Sequence, residues 1–180
     1  MKPRVIIADP PWQYRNKGVN GAAEKHYPTM SVDELCALPV AQAAADDCAL
    51  FLWATWPFLT EALHVIRAWG FTYVTGFPWI KVQGGPVVNP WLGMPIRPSY
   101  GTGWWVRGCS EPILIARRGR PDQPTGSFVG LLSERFEHSR KPESIYHIAE
   151  SMPGPYLEMF ARRRREGWQQ WGNQLPEDVK

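Results

Sequence analysis

The segment Pro3 to Ala8 closes on the apolar run Val5-Ile6-Ile7-Ala8 and stops abruptly at Asp9-Pro10-Pro11-Trp12. An apolar run with no polar alternation reads as a strand covered on both faces, as in the sheets of α/β proteins. Open sheets of that kind bind ligands outside the carboxyl ends of their strands, and Asp9 falls at such an end. The tetrapeptide suits the chemistry of an exocyclic amino group on a nucleobase. That amine is a poor nucleophile, because its lone pair is delocalised into the ring, and two hydrogen-bond acceptors favour its move towards tetrahedral geometry. The Asp9 carboxylate can take one hydrogen and the Pro10 carbonyl the other, while Trp12 stacks on the base. Pro10 and Pro11 fix φ and offer no N–H, so the carbonyl direction is set in advance. The competing reading is a Pro-Pro turn that caps a strand, with Trp12 in the core. From the tetrapeptide alone the two stand level.

Further along, strands and helices alternate. Ser31-Val32-Asp33-Glu34 is a capping box that opens a short helix ending before Pro39. Ala49 to Thr55 reads as a second strand. Pro57 suits a first helical turn, Leu59, Ala62, Leu63 and Ile66 form an apolar stripe, and Gly70 ends the helix. The stripe belongs to the core, and His64 and Arg67 face solvent. Phe71 to Val82 and Glu111 to Arg117 read as strands, Pro142 opens a helix through about Ser151, and strands follow at Tyr156 to Phe160 and Trp168 to Trp171. The expected fold is α/β, a mainly parallel sheet with helices on both faces, in one domain over residues 1–180.

Composition removes several function classes. Cys36, Cys48 and Cys109 are odd in number and far apart, which argues against a disulfide framework or a zinc knuckle and fits a reducing cytosol. The four histidines lack the short spacing of a metal site, so no metal is expected. No signal peptide opens the chain, and no apolar run approaches the ~20 residues of a membrane helix, so the expected location is cytoplasmic, in a bacterial or phage-infected cell. The 20 Lys and Arg against 17 Asp and Glu do not by themselves demand a nucleic-acid partner. Two basic clusters stand out instead, Arg117-Arg118 with Arg120, and Arg162 to Arg165. Either can be an ordinary solvated face.

From Gln83 to Gly108 the alternation breaks into a stretch rich in Gly, Pro and Trp. A loop of that length in a compact domain is functional or disordered, and its aromatics argue against simple disorder. It reads as a lid or nucleic-acid contact surface, with Trp104 and Trp105 offered to bases and Arg117 and Arg118 to phosphates. A structural wrap or oligomer contact is the alternative.

Collinear blocks extend from Val5 to about Leu175. They include His26-Tyr27-Pro28-Thr29-Met30-Ser31, Leu50-Phe51-Leu52-Trp53-Ala54-Thr55, Trp69-Gly70-Phe71, Trp79-Ile80-Lys81 and Thr102-Gly103 with Glu111. Later blocks are His138-Ser139-Arg140-Lys141-Pro142, Glu158-Met159-Phe160-Ala161-Arg162 and Trp171-Gly172-Asn173-Gln174. With Asp9-Pro10-Pro11-Trp12 at their head, these blocks resemble the MT-A family of adenine-N6 methyltransferases, in its compact bacterial and phage branch.

The resemblance implies a Rossmann-like class I methyltransferase fold with permuted motif order, the catalytic half preceding the half that binds S-adenosylmethionine. It implies Asp9, Pro10, Pro11 and Trp12 as the catalytic motif, with Trp12 and Tyr27 about the base. It places Lys141 near the methionine carboxylate of the cofactor, Phe160 and Arg162, Arg163, Arg164 and Arg165 near its ribose and adenine, and Asn173 and Gln174 as paired amides. Asp9 borders the cofactor, and Glu158 either contacts it or supports local structure. Arg164-Arg165 stand where the eukaryotic catalytic subunits have His followed by Asn. The implied activity is methylation of adenine N6 in nucleic acid, DNA favoured and RNA the alternative, with a homodimer or a partner subunit as the candidate assemblies. Inactive relatives that only bind nucleic acid lack the complete tetrapeptide, which is intact here.

Overall fold

The computed structural model describes residues 1–13, 28–82, 99–100, 105–126, 128, 131–134 (backbone alone), 141–173 and 175. Within them a seven-stranded sheet runs in the order β5-β3-β4-β2-β1-β6-β7. Its strands are β1 (Val5–Ala8), β2 (Cys48–Trp53), β3 (Thr72–Val82), β4 (Ser110–Arg118), β5 (Leu131–Glu134), β6 (Tyr156–Met159) and β7 (Trp168–Trp171). Four helices accompany it: α1 (Val32–Cys36), α2 (Val40–Ala43), α3 (Leu59–Ala68) and α4 (Ser144–Glu150).

Local signals explain most of these elements. The Ser31 hydroxyl accepts from the Glu34 N–H at 3.2 Å, and the Glu34 carboxylate accepts from the Ser31 N–H at 2.7 Å, closing the capping box of α1. At the other end of α3, Gly70 adopts φ +80°, and the Phe71 N–H reaches back to the Ile66 carbonyl at 3.0 Å. That left-handed residue satisfies carbonyls a right-handed continuation would leave open. Every residue of β1 and β2 is buried, as expected for central strands with helices on both sides. On one face Ala62, Val65 and Ile66 of α3 join Leu35, Val40, Leu50 and Leu52. On the other, Ile145, Tyr146, Ile148 and Ala149 of α4 pack on Val5, Ile7, Phe51 and Trp53. His64 and Arg67 face solvent.

The sheet is mainly parallel, but β4 runs against both its neighbours, pairing Cys48 with Arg118 and Trp53 with Ile113 in β2, and Trp79 with Glu111 in β3. This reversal positions the site. It brings the beginning of β4 to the carboxyl edge of β1 and β2, and carries its end to the opposite edge. Two elements escape the sequence reading, the four-residue α2 and β5, the latter parallel to β3.

Candidate active site

β1 and β6 are parallel neighbours, with Ala8 opposite Met159. The chain leaves β1 towards β2 on one side, and leaves β6 towards β7 on the other. Their carboxyl ends therefore flank a topological switch point, where open α/β sheets hold ligands. Asp9 stands on one lip and Phe160 on the other.

The tetrapeptide is braced at every residue. Trp12 N–H donates to the Pro10 carbonyl at 2.9 Å in a tight three-residue turn, and Met30 N–H donates to the Pro11 carbonyl at 2.9 Å. One lone pair of Pro10 O is thereby used, and among the described residues the other remains for a ligand. Trp12 departs from the expectation of an open stacking face. Only 5% of it is exposed, its ring stacks on Phe58 at 5.6 Å, and its indole N–H donates to the Trp53 carbonyl at 3.2 Å. The ring's apolar area is spent on the core, and it serves to fix the turn.

Asp9 is bound into a chain of alternating charge. Lys141 Nζ lies 3.1 Å from Asp9 Oδ1 and 3.3 Å from Glu111 Oε2, and Lys81 Nζ lies 2.5 Å from Glu111 Oε1. The four side chains are 16–29% exposed, so the pairs are little screened by water. Burial pushes the Lys141 ammonium down, but the Asp9 and Glu111 carboxylates outweigh it and hold the group above its ordinary value. Burial pushes Glu111 up, and the Lys141 and Lys81 ammoniums outweigh that, leaving it below the ordinary carboxylate value. Lys141 also sits over the Trp53 ring at 5.2 Å, and Lys81 over Trp79 at 5.2 Å.

Glu111 stands in one of the collinear blocks without a role that the sequence assigns; the reversed direction of β4 supplies one by bringing it to Lys141. The Ala54 N–H donates to the Pro112 carbonyl at 3.1 Å, locking the start of β4 against the end of β2. An acidic residue that precedes a proline at the head of an apolar strand was the available signal, and it does not specify strand direction.

On the β6 side, Phe160 takes φ 63°, a conformation in which a non-glycine residue is strained. This turn lets Ala161 N–H donate to the Trp171 carbonyl at 3.0 Å, while Phe160 meets the Trp171 ring edge-on at 5.1 Å. At Gly172 any Cβ would lie 2.3 Å from the Ala161 carbonyl oxygen, so only glycine permits the approach. The result sets Phe160, the part-buried Arg162 and the exposed Asn173 along one edge.

Several expected site residues are engaged elsewhere. Glu158 accepts from the Tyr146 hydroxyl at 2.7 Å and from the Gln170 amide at 3.0 Å, so it joins α4 to β6 and β7. Arg163 pairs with Glu143, and Arg165 bridges Glu143 and Glu150 at 3.0 Å each, its guanidinium 4.1 Å from the Tyr146 ring centroid. Both guanidiniums tie the β6–β7 connection to α4 instead of facing the switch point; Arg164 is exposed. Arg117 and Arg118, expected at the substrate, lie at the far end of β4. β4 crosses all six residues of β2, at ~3.3 Å each, before reaching Arg118. There Arg118 donates to the Ala41 carbonyl and lies 3.7 Å from Asp46, closing α2 onto the sheet. Trp105 is 98% exposed. Tyr27, Trp104, Gln174 and most of the 83–108 segment lie outside the described residues. Among the described residues no group of three or more His, Cys, Asp or Glu is arranged to hold a metal, and no helix is long and apolar enough to cross a membrane.

The donor set fits S-adenosylmethionine. Lys141, beside Asp9, offers an ammonium for a carboxylate, and Asn173, just past the end of β7, offers an exposed amide. Lys141 gives two of its three hydrogens to carboxylates, and among the described residues the third is left for a ligand.

The MT-A70 family model matches residues 3–174. The chain is 31% identical over 201 residues to the type II methyltransferase M.MunI of Mycoplasma sp, covering 98% of this chain and 79% of that protein. It is 29% identical to the human N(6)-adenine-specific methyltransferase METTL4, covering 95% of this chain and 37% of that protein. Identity to the N6-methyladenosine RNA methyltransferase MTA1 of Cryphonectria parasitica is 30%, over 95% of this chain and 51% of that protein. The chain thus spans most of the first relative and about half or less of the other two.

Proposed function

The chain belongs to the MT-A70 family of adenine-N6 methyltransferases, and from that premise we propose that it methylates adenine in DNA, with S-adenosylmethionine as methyl donor and Asp9 as the residue that receives the target amine. The observation that carries this reading is the placement of Asp9: the carboxylate stands at the β1/β6 switch point and is held by an ammonium that Glu111 holds in turn. When bound, the cofactor supplies an electrophilic methyl group. Asp9 accepts one amino hydrogen, and the unused lone pair of Pro10 O accepts the other. Both bonds favour a pyramidal nitrogen with its lone pair directed at the methyl group. Formation of the N–C bond would be matched by cleavage of the sulfur–methyl bond, its electron pair staying on sulfur in the S-adenosylhomocysteine released, and the surplus proton on nitrogen leaves through the hydrogen bond to Asp9. Lys141 orients that carboxylate, and its third hydrogen is available to the carboxylate of the cofactor. Phe160, Arg162 and Asn173 hold the ribose and adenine end. Trp105 and the 83–108 segment contact the polynucleotide, and a duplex target is flipped out of its stack at a cost of a few kcal/mol.

DNA is favoured over RNA because 79% of the compact type II methyltransferase is matched, against 51% of the RNA enzyme. The test is mass spectrometry of nucleosides after incubation with cofactor and either polymer. N6-methyldeoxyadenosine from DNA is the expected product. N6-methyladenosine from RNA alone would transfer the reading to RNA, and neither product would sink it.

A further inference from the structure

We propose that Trp56 is a stacking platform for a nucleobase of the substrate strand, a role that rests on the activity proposed above. It follows the last residue of β2 by three positions, at the edge where neighbouring β1 gives way to Asp9. Pro57 stiffens the 3-10 turn Trp56–Phe58 in which it sits. The indole is half exposed, yet its N–H is committed, donating to Ser110 Oγ at 3.0 Å. Ser110 opens β4, next to Glu111, whose carboxylate reaches Lys141 and through it Asp9. The ring is therefore fixed to the strand that organises the site.

A tethered indole with its donor satisfied offers a ligand chiefly its π-face, which every base can use. Ordinary exposed tryptophans on a surface have no such anchor. The need for a platform arises from Trp12, whose ring is covered by Phe58 and whose N–H is taken by Trp53. Of the two tryptophans that follow the ends of β1 and β2, the second is the one open to a ligand. Base–aromatic contacts of this kind tolerate sequence, so Trp56 supplies affinity and orientation without naming a target sequence.

The experiment uses an oligodeoxynucleotide that the wild-type protein methylates, and the variants Trp56→Ala, Trp56→Phe and Ser110→Ala. Trp56→Ala is expected to raise the KM for the oligonucleotide about tenfold and to leave the affinity for S-adenosylmethionine unchanged. Trp56→Phe keeps a π-face and should recover most of the loss; Ser110→Ala frees the ring and should cost about two- to threefold. The same oligonucleotide carrying an abasic site in place of the target adenine, or of either neighbour, identifies which base stacks. The binding deficit of Trp56→Ala vanishes where that base is missing. A wild-type KM in a folded Trp56→Ala variant would overturn the assignment while leaving the activity standing. A wild-type protein that methylates no DNA or RNA would overturn the activity itself, and the platform with it.

Discussion

Two charge networks flank α4, and they use the same chemistry to different ends. Ahead of the helix, Lys81, Glu111, Lys141 and Asp9 alternate in a row at the sheet edge, each less than a third exposed. Beneath it, Arg163 and Arg165 close on Glu143 and Glu150, with side chains 22–43% exposed. The second network is built of arginines, whose planar forks lie over the Tyr146 ring and bridge two carboxylates. It fastens a connection to a helix. The first is built of lysines, compact charges that hold a carboxylate while leaving hydrogens to give away. Identical ion-pair counting would treat the two alike; burial and donor geometry separate a site from a fastening.

The sharpest way to break the distinction is at Asp9. Asp9→Ala is expected to lower turnover by about 10²–10⁴-fold while the folded protein still binds S-adenosylmethionine, since the carboxylate acts on the amine. Steady-state kinetics with calorimetry would show it, and near-normal turnover in a folded variant would return the tetrapeptide to a purely structural role.

Glu111→Gln should come next, because it removes one partner of a little-exposed cluster, costing about 3 kcal/mol and a smaller share of activity. The pH profile adds a second readout. Glu111 titrates lower in the folded chain than its ordinary 4.5, so its stabilisation is present above that value and fades as pH falls through the folded value. Lys141 titrates above its ordinary 10.5, so its share is present below that value and is lost as pH rises through the folded one. Urea titrations of wild type should therefore be flat from about pH 6 to 9 as far as these groups decide. Glu111→Gln should flatten part of the acid limb, and an acid limb identical to wild type would remove Glu111 from the network.

Glu143→Gln probes the other network. Pairs this exposed contribute about 0–1 kcal/mol, so a small loss in stability is expected, with the KM for cofactor nearly unchanged. A large rise in that KM would bring Arg163 and Arg165 back to the cofactor. The smallest effect is expected from Arg117→Ala. At the far edge of the sheet it should leave DNA affinity and its salt dependence as in wild type; a salt slope reduced by about one would place phosphate there after all.

Much of this fold is legible in the residues. The uninterrupted apolar run before Asp9, the reciprocal Ser31 and Glu34 cap, and the stripe of α3 ending at Gly70 each carry a local physical cause. Strand direction has no such cause. Ile113, Leu114 and Ile115 read the same whichever way β4 runs, and direction decides that Glu111 meets Lys141 while Arg117 and Arg118 face away. The fate of Trp12 was equally hidden, because an aromatic beside a turn can stack outward or inward, and Phe58, which settles the choice, comes from a distant segment. The arginine run was visible as charge, but its partners Glu143 and Glu150, at the two ends of α4, become neighbours only through tertiary packing.

The alternating row at the sheet edge has a consequence for kinetics of encounter. Two lysines and two carboxylates sum to no net charge, so the row holds strong local dipoles and projects little field beyond a Debye length of ~10 Å. A polyanion drifting past the mouth of the site is not drawn in by the groups that react with it. Unless other cations steer it, association should proceed at the unassisted ~10⁵–10⁶ M⁻¹s⁻¹, so that capture depends on repeated collision and on surfaces that retain a base once it arrives.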